Sequence, residues 1–187
     1  GLGYATYKLA PAASCKPPKR AKPMMRSLVC GHNAMENEFL HVKINSDGTL
    51  RMTDKQTGVV FDNLHYFEDG GEAGHAWMHI EPACDSVVTS QGQPVRITLE
   101  EDRPLSARYR IEYRMHVPLG LDENGGDAWK RLDGGENASR RTDETRDLVI
   151  VSTVSLEKDG RALDVATRFE NPCNSHRLRV MFPTRLK

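Results

Sequence analysis

The 187-residue sequence lacks the features of a membrane-spanning or nucleic-acid-binding chain. No apolar stretch reaches the roughly 18 residues that a transmembrane helix needs. Lysine plus arginine number 26, aspartate plus glutamate also number 26, and the formal net charge is zero. A balanced charge gives no electrostatic attraction to phosphate backbones or anionic lipids. We therefore expect neither nucleic acid nor a membrane as a partner.

Cysteine is scarce, and catalytic signatures are absent. The four cysteines, at positions 15, 30, 84 and 173, form no CxxC pair, so their spacing argues against a structural zinc site. No GxSxG, P-loop or HExxH motif is present. The chain opens with GLGYATY, without methionine and without a secretory leader. We interpret it as a piece of a larger protein with reduced thiols and a cytoplasmic location.

Alternating apolar and polar residues, the period of a β-strand, recur along the chain. In residues 106–117, SARYRIEYRMHV, tyrosine and aliphatic side chains occupy one face and charged side chains the other. Similar alternation occurs in residues 40–44, 95–99, 148–156, 163–169 and 178–182. Turn sequences such as NSDGT, DKQTG and KDGR separate strands, because Asn, Asp and Gly tolerate turn conformations. No helical period exceeds two turns, so the sequence predicts an all-β domain, an antiparallel β-sandwich with long polar loops.

Two polar regions interrupt this pattern. Residues 9–33 contain PAASCKPPKRAKPMMRS, whose prolines exclude a helix or a central strand. The basic cluster within it has no interleaved aromatic residues to stack on bases, which favours a solvated connector. Residues 119–147 are polar and glycine-rich and bury too little surface to offset their ordering entropy, which predicts a mobile loop. We divide the chain into a lead-in strand and Pro/Lys-rich connector, residues 1–34, and a β-sandwich domain, residues 35–187.

The stretch FEDGGEAGHAWMHIEP, at residues 67–82, concentrates side chains that carry chemistry. His75 and His79 are four residues apart, a spacing that metal ligands use, and a zinc site would need a third ligand. Asp69, Glu72 or Cys84 would have to supply it. Nothing in the spacing demands a metal, so we expect none in this chain. The acids could form a glycosidase pair or shape a turn, and the turn is our preferred interpretation of Asp69.

Four motifs run in order through nearly the whole chain. GLGYATY opens it, and the hairpin MENEFLHVKINSDGTLRMTDKQTG covers residues 35–58. FDNLHYFEDGGEAGHAWMHIEP covers residues 61–82, and LEKDGRALDVATRFENPCNSHRLRVMFPT covers residues 156–184. Together, and in this order, they resemble the bacterial members of glycoside hydrolase family 38, the α-mannosidases. Each motif alone is a weak signal, whereas the ordered set is specific.

This resemblance implies a parent enzyme that hydrolyses terminal α-mannosides with retention. In the family, the aspartate nucleophile and the zinc ligands lie in an N-terminal β/α domain, which a helical bundle and a large β-sandwich region follow. This chain resembles only the beginning of that region, part of a supersandwich. The resemblance therefore implies no catalytic residue and no metal ligand here, and zinc in the parent's catalytic domain. It implies two partners, the α-mannoside bound through the parent enzyme and that catalytic domain, and a homo-oligomer is compatible with it.

The resemblance also points to residues near the sugar, because the loop after FEDGG approaches the sugar site in the family. The residues that it implies to be near the substrate are Trp77, His79, His75, Glu72 and Asp69. Where the family has an acid and two tyrosines, this chain has His75, Trp77 and His79, so its substrate preference can differ. A tryptophan offers an apolar face to a pyranose, and a histidine can bind hydroxyls. The alternative is that Trp77 is a core residue of a strand.

Two further alternatives remain open. Arg177 and Arg179 lie on the strand face opposite Leu178 and Val180 and could pair with acids at a domain interface, or the face could simply be solvated. The chain could also be a stand-alone carbohydrate-binding module or an interdomain scaffold, rather than a segment that lends a loop to an active site.

Overall fold

The computed structural model describes Tyr4, Thr6 and residues 27–74, 77–122 and 139–184. These residues form twelve β-strands and no helix. The strands are β1 (Val29–Gly31), β2 (Ala34–Glu36), β3 (Leu40–Ile44), β4 (Leu50–Asp54), β5 (Val60–Leu64), β6 (Tyr66–Gly71), β7 (Val88–Thr89), β8 (Val95–Asp102), β9 (Ser106–Pro118), β10 (Thr145–Glu157), β11 (Asp164–Phe169) and β12 (His176–Met181).

The strands form three antiparallel sheets. The order is β1-β2-β3-β4-β5 in the first sheet, β11-β10-β9-β8 in the second and β12-β6-β7 in the third. The first two sheets join strands that are neighbours in sequence, whereas the third brings β12 beside β6. This architecture confirms the predicted all-β, antiparallel β-sandwich class. Among the residues described above, no helix is long and apolar enough to cross a membrane.

The core lies between the five-stranded and the four-stranded sheet. β9 and β10 pair over thirteen residues, and the alternate apolar residues of β9 are buried as the sequence predicts. Tyr113 and Met115 from β9 join Val42 and Leu50 of the first sheet in one buried cluster. Burying each large apolar side chain contributes roughly 1.5–3 kcal/mol, which explains why alternation dominates the sequence of these strands.

The predicted NSDGT turn is confirmed, and a hydrogen bond to this turn also links the first sheet to the second. Asn45 N donates to Thr49 O at 2.8 Å, and Gly48 has a φ of 82°. Tyr113 Oη, from the opposite sheet, donates to Gly48 O at 2.8 Å. A Cβ on Gly48 would collide with the Tyr113 ring, so both the backbone conformation and the close approach require glycine here.

Several elements differ from the sequence-based expectation. β1 lies inside the stretch assigned to the connector, and the first sheet begins before the predicted boundary at residue 35. β10 begins at Thr145, within the predicted polar loop. Residues 7–26 of the connector and residues 123–138 of the loop lie outside the described residues, so the mobility of the loop stays a prediction.

Candidate functional site

The FEDGG motif forms a strand and not a turn. β6 pairs with β12 on one side and with β7 on the other, and Asp69 lies opposite Leu178 and Val88. The turn interpretation of Asp69 is therefore wrong. The glycines serve close packing instead, because a Cβ on Gly71 would collide with Pro82 and one on Gly70 would lie 3.1 Å from Asp85 Oδ2.

Asp69 is fully buried at the centre of an ionic network. Its carboxylate accepts hydrogen bonds from the Arg141 guanidinium and from His176 Nδ1, the latter at 2.5 Å. Arg141 also donates through Nη1 to the backbone oxygens of Asp69 and Ser86, at 3.2 and 3.1 Å. His176 Nε2 lies 2.8 Å from Asn171 Oδ1. Because its side chain is fully buried and each carboxylate oxygen accepts a hydrogen bond inside the protein, Asp69 braces the sheet in this chain. The predicted position of Asp69 near the sugar stays a prediction.

Sequence analysis missed Arg141 and His176 as parts of this site. Arg141 lies in a polar, glycine-rich segment, where an arginine is ordinarily solvated, yet its side chain is 1% exposed. His176 belongs to the HRLR motif, but the pattern of β12 did not distinguish its buried role. One signal could have indicated them: a carboxylate on a buried strand, such as Asp69, requires a cationic partner.

Glu72 organises the loop that follows β6. Its Oε1 accepts hydrogen bonds from the backbone amides of Gly74 and Ile80, at 2.8 and 3.0 Å, and its Oε2 contacts His79 Nδ1. Partial burial raises the pKa of Glu72, but hydrogen bonds from Ile80, His79 and Gly74 outweigh that effect and hold the pKa below its ordinary value. Glu72 is therefore an ionised brace that closes the loop and orients His79.

Trp77 projects from this loop into solvent. Its side chain is 92% exposed, and the neighbouring Met78 is 42% exposed. The core interpretation of Trp77 is therefore wrong for the described chain. His75 lies outside the described residues.

A small cleft of about 40 Å³ adjoins the braced loop. It is lined by Gly70, Gly71, His79, Glu81, Asp85, Val87, Arg177 and Arg179. Gly71 N donates to Asp85 Oδ1 at 3.0 Å, which fixes one wall. The volume suits a water molecule or a small ionic group and is far too small for a sugar ring. The cleft nevertheless brings together His79 and both arginines that the sequence singled out.

The two arginines, Arg177 and Arg179, have different neighbours on strand β6. Arg179 forms an ion pair with Glu68 on the neighbouring strand, and its side chain is 44% exposed. Arg177 is also exposed and lies opposite Gly70 on β6. A partner acid for Arg179 is thus already present within this chain. The interface role predicted for both arginines stays a prediction.

Comparisons with known proteins found both a similar sequence and similar structures. No family model matches the chain. A curated relative from Halalkalibacterium halodurans, whose name assigns it provisionally as a mannosylglycerate hydrolase, is 29% identical over 153 residues, 81% of this chain and 17% of the relative. A crystal structure described as an α-mannosidase from Enterococcus faecalis V583 superposes with a TM-score of 0.77 at 34% identity, over 82% of this chain and 18% of that one.

A second solved structure agrees with the first. It is described as a protein of glycosyl hydrolase family 38 from Enterococcus faecalis, with a TM-score of 0.74 at 33% identity. The similarity covers 81% of this chain and 18% of that one. The chain therefore spans less than a fifth of the length of these relatives.

Proposed function

We propose that this chain, which is similar to part of family 38 glycoside hydrolases, is a β-sandwich segment that packs on the catalytic domain of an α-mannosidase and lends its loop at residues 72–80 to the sugar cleft. The observation that carries the proposal is the exposed Trp77 on a loop that Glu72 braces. Tryptophan is enriched at binding interfaces because its ring combines a large apolar face with a polar N–H group, so an exposed tryptophan on an anchored loop is suited to contact a ligand.

The residues of the loop and of strand β6 have distinct roles in this proposal. Trp77 packs its apolar face on the pyranose ring, and the polar edge of His79 binds a hydroxyl. Glu72 and Asp69 act indirectly, because Glu72 orients His79 and Asp69 braces the strand from which the loop begins. No residue of this chain supplies the nucleophile, so the contribution is to hold the sugar in register with groups from another domain.

The names of the relatives suggest the substrate, and the family resemblance of the sequence suggests the cofactor. Names that refer to α-mannosidase and mannosylglycerate hydrolase suggest a mannoside, cleaved with retention as in the family that the sequence resembles. Zinc would be held by the catalytic domain and would act there on the mannose hydroxyls. In this proposal Arg177 and Arg179 face that domain, and the protein works in the cytoplasm.

The proposal predicts that the 187-residue chain alone has no mannosidase activity. The measurement is nitrophenol release from an aryl α-mannoside, with zinc added, by the chain and by the full-length protein that contains it. Zinc-dependent turnover by the chain alone would contradict the assignment of catalysis to another domain.

The exposed Trp77 also favours the second candidate, a stand-alone carbohydrate-binding module. The two candidates differ in whether the isolated chain binds sugar. A titration with mannose, followed by tryptophan fluorescence, should show no saturable change for a loop that needs the catalytic domain to complete its pocket. Saturable binding would favour the module, particularly if Trp77→Phe, measured by calorimetry because the variant lacks the reporting fluorophore, binds mannose more weakly.

A further inference from the structure

Three side chains of different chemistry meet on the outer face of the first sheet, far in sequence from the loop described above. They are Cys30 on β1, Glu36 on β2 and His41 on β3. One ligand atom from each lies within 4.8 Å of the other two. This thiol–carboxylate–imidazole group was not indicated by sequence spacing, because its members come from three strands.

The strand register explains why these residues meet. Glu36 and His41 are direct partners across β2 and β3. Their neighbours Met35 and Val42 are fully buried, so Glu36 and His41 point to the outer face of the sheet. The β1–β2 register shifts between Val29 and Gly31, which makes Cys30 the extra residue of a β-bulge.

The bulge changes the direction of the Cys30 side chain. Bulges re-aim a side chain relative to the regular pleat, and this one directs Cys30 toward the Glu36–His41 pair. The Cys30 thiol is on the exposed side of the sheet and is not in a disulfide. The pair is thus extended into a three-ligand set by an irregularity of the backbone.

From this arrangement we propose that Cys30, Glu36 and His41 bind a zinc ion on the surface of the first sheet. Thiolate, imidazole and carboxylate are together the ligands that Zn²⁺ takes in proteins. Ligand atoms around a tetrahedral zinc lie roughly 3.3–3.7 Å apart, given bonds of about 2.0–2.3 Å, so the three ligand atoms need to approach one another by at most about 1.5 Å. Three protein ligands leave the fourth position to water.

Charges around the group set the conditions under which a cation binds. Lys55 Nζ donates to Asn37 O at 2.8 Å and lies 3.4 Å from Glu36 Oε2, which holds the carboxylate in place. A bound cation would replace this ammonium as the main counterion of Glu36. Partial burial raises the pKa of the Cys30 thiol, and the Glu36 carboxylate raises that pKa further. Zinc must therefore displace a proton from Cys30, and binding should weaken as the pH falls.

The test is a cobalt titration of the reduced 187-residue chain, followed by competition with zinc. One equivalent of Co²⁺ should give a near-ultraviolet thiolate-to-cobalt band that Zn²⁺ removes. Cys30→Ser should abolish the band. His41→Gln should weaken zinc binding at least as much as loss of an outer partner does, about 10–100-fold. Cys84→Ser and His116→Gln are matched controls, since both residues are exposed and lie outside the group, and they should leave the titration unchanged.

A second measurement on the unmodified chain guards against a variant that fails to fold. Zinc should slow the alkylation of Cys30, mapped by mass spectrometry, and leave that of Cys84 unchanged. A thiolate–cobalt band that survives in folded Cys30→Ser would overturn the proposal. So would equal alkylation rates of Cys30 with and without zinc. These outcomes are independent of mannosidase activity, because the proposal rests on this chain alone.

Discussion

Removal of the charge on Asp69 should be among the most damaging single changes in this chain. The Asp69 side chain is 0% exposed and that of its partner Arg141 is 1% exposed. Asp69→Asn leaves the guanidinium buried, permanently charged and uncompensated. Breaking a buried pair in this way costs about 3–5 kcal/mol of unfolding free energy. We expect that loss in urea unfolding, with an unchanged slope of free energy against denaturant.

The chain offers a closely matched control for this experiment. Asp147 also binds one arginine and one histidine, with Arg114 Nη1 at 3.2 Å and His116 Nδ1 at 2.5 Å, but these side chains are 42–58% exposed. Asp147→Asn should therefore cost at most about 1 kcal/mol, because exposed pairs are screened by solvent.

A double variant separates the penalty of an unpaired charge from the value of the pair itself. Asp69→Leu combined with Arg141→Met removes both charges and should recover much of the loss, since apolar replacements of buried pairs are often neutral. The reasoning would be refuted if Asp69→Asn and Asp147→Asn cost the same.

Two further predictions concern the core. Gly48→Ala should lower the free energy of unfolding by about 2–5 kcal/mol, because it combines left-handed backbone strain with a collision against the Tyr113 ring. Gly58 also has a positive φ, 73°, but no atom lies near its Cβ position, so Gly58→Ala should cost only about 1–2 kcal/mol. Equal midpoints of the two variants in thermal unfolding would contradict this. Burial lowers the pKa of His65 to about 4, so between pH 4 and about 6.5 the unfolded chain binds more protons than the folded chain. The free energy of unfolding should therefore decrease by at most about 3 kcal/mol as the pH drops across that window. His65→Asn, which tolerates the φ of 62° at this position, should flatten the dependence in denaturant titrations at several pH values, and an unchanged slope would rule the histidine out as its source.

Strand alternation made most of the sandwich predictable from sequence. β9 and β10 are long, one-sided and flanked by turn residues, so pattern alone located their buried faces. Short strands such as β1 and β7 contain too few residues to show a period, and β6 was hidden by its glycines. Those glycines indicated a turn, whereas packing against Pro82 and Asp85 is what requires them.

The candidate site was predictable only in part, because its support comes from distant sequence. The resemblance located Trp77 and His79, and the structure brings His79 together with Arg177 and Arg179 in one cleft. Arg141 lies 72 residues from Asp69, and no local pattern reports a pairing over that separation. The group of Cys30, Glu36 and His41 has the same origin, since a bulge and the strand registers bring the three residues together.

The most direct test of the central claim is the pair of measurements kcat/KM and unfolding midpoint for Trp77→Ala in the full-length protein. Exposure of 92% predicts an unchanged midpoint, because no core cavity is created. Loss of sugar positioning predicts a fall in kcat/KM on the order of 5- to 150-fold, or about 1–3 kcal/mol. Leu105→Ala, at another exposed apolar residue, should change neither value. A midpoint loss equivalent to about 3–5 kcal/mol, with unchanged kcat/KM per folded molecule, would instead identify Trp77 as a buried packing residue and contradict the account.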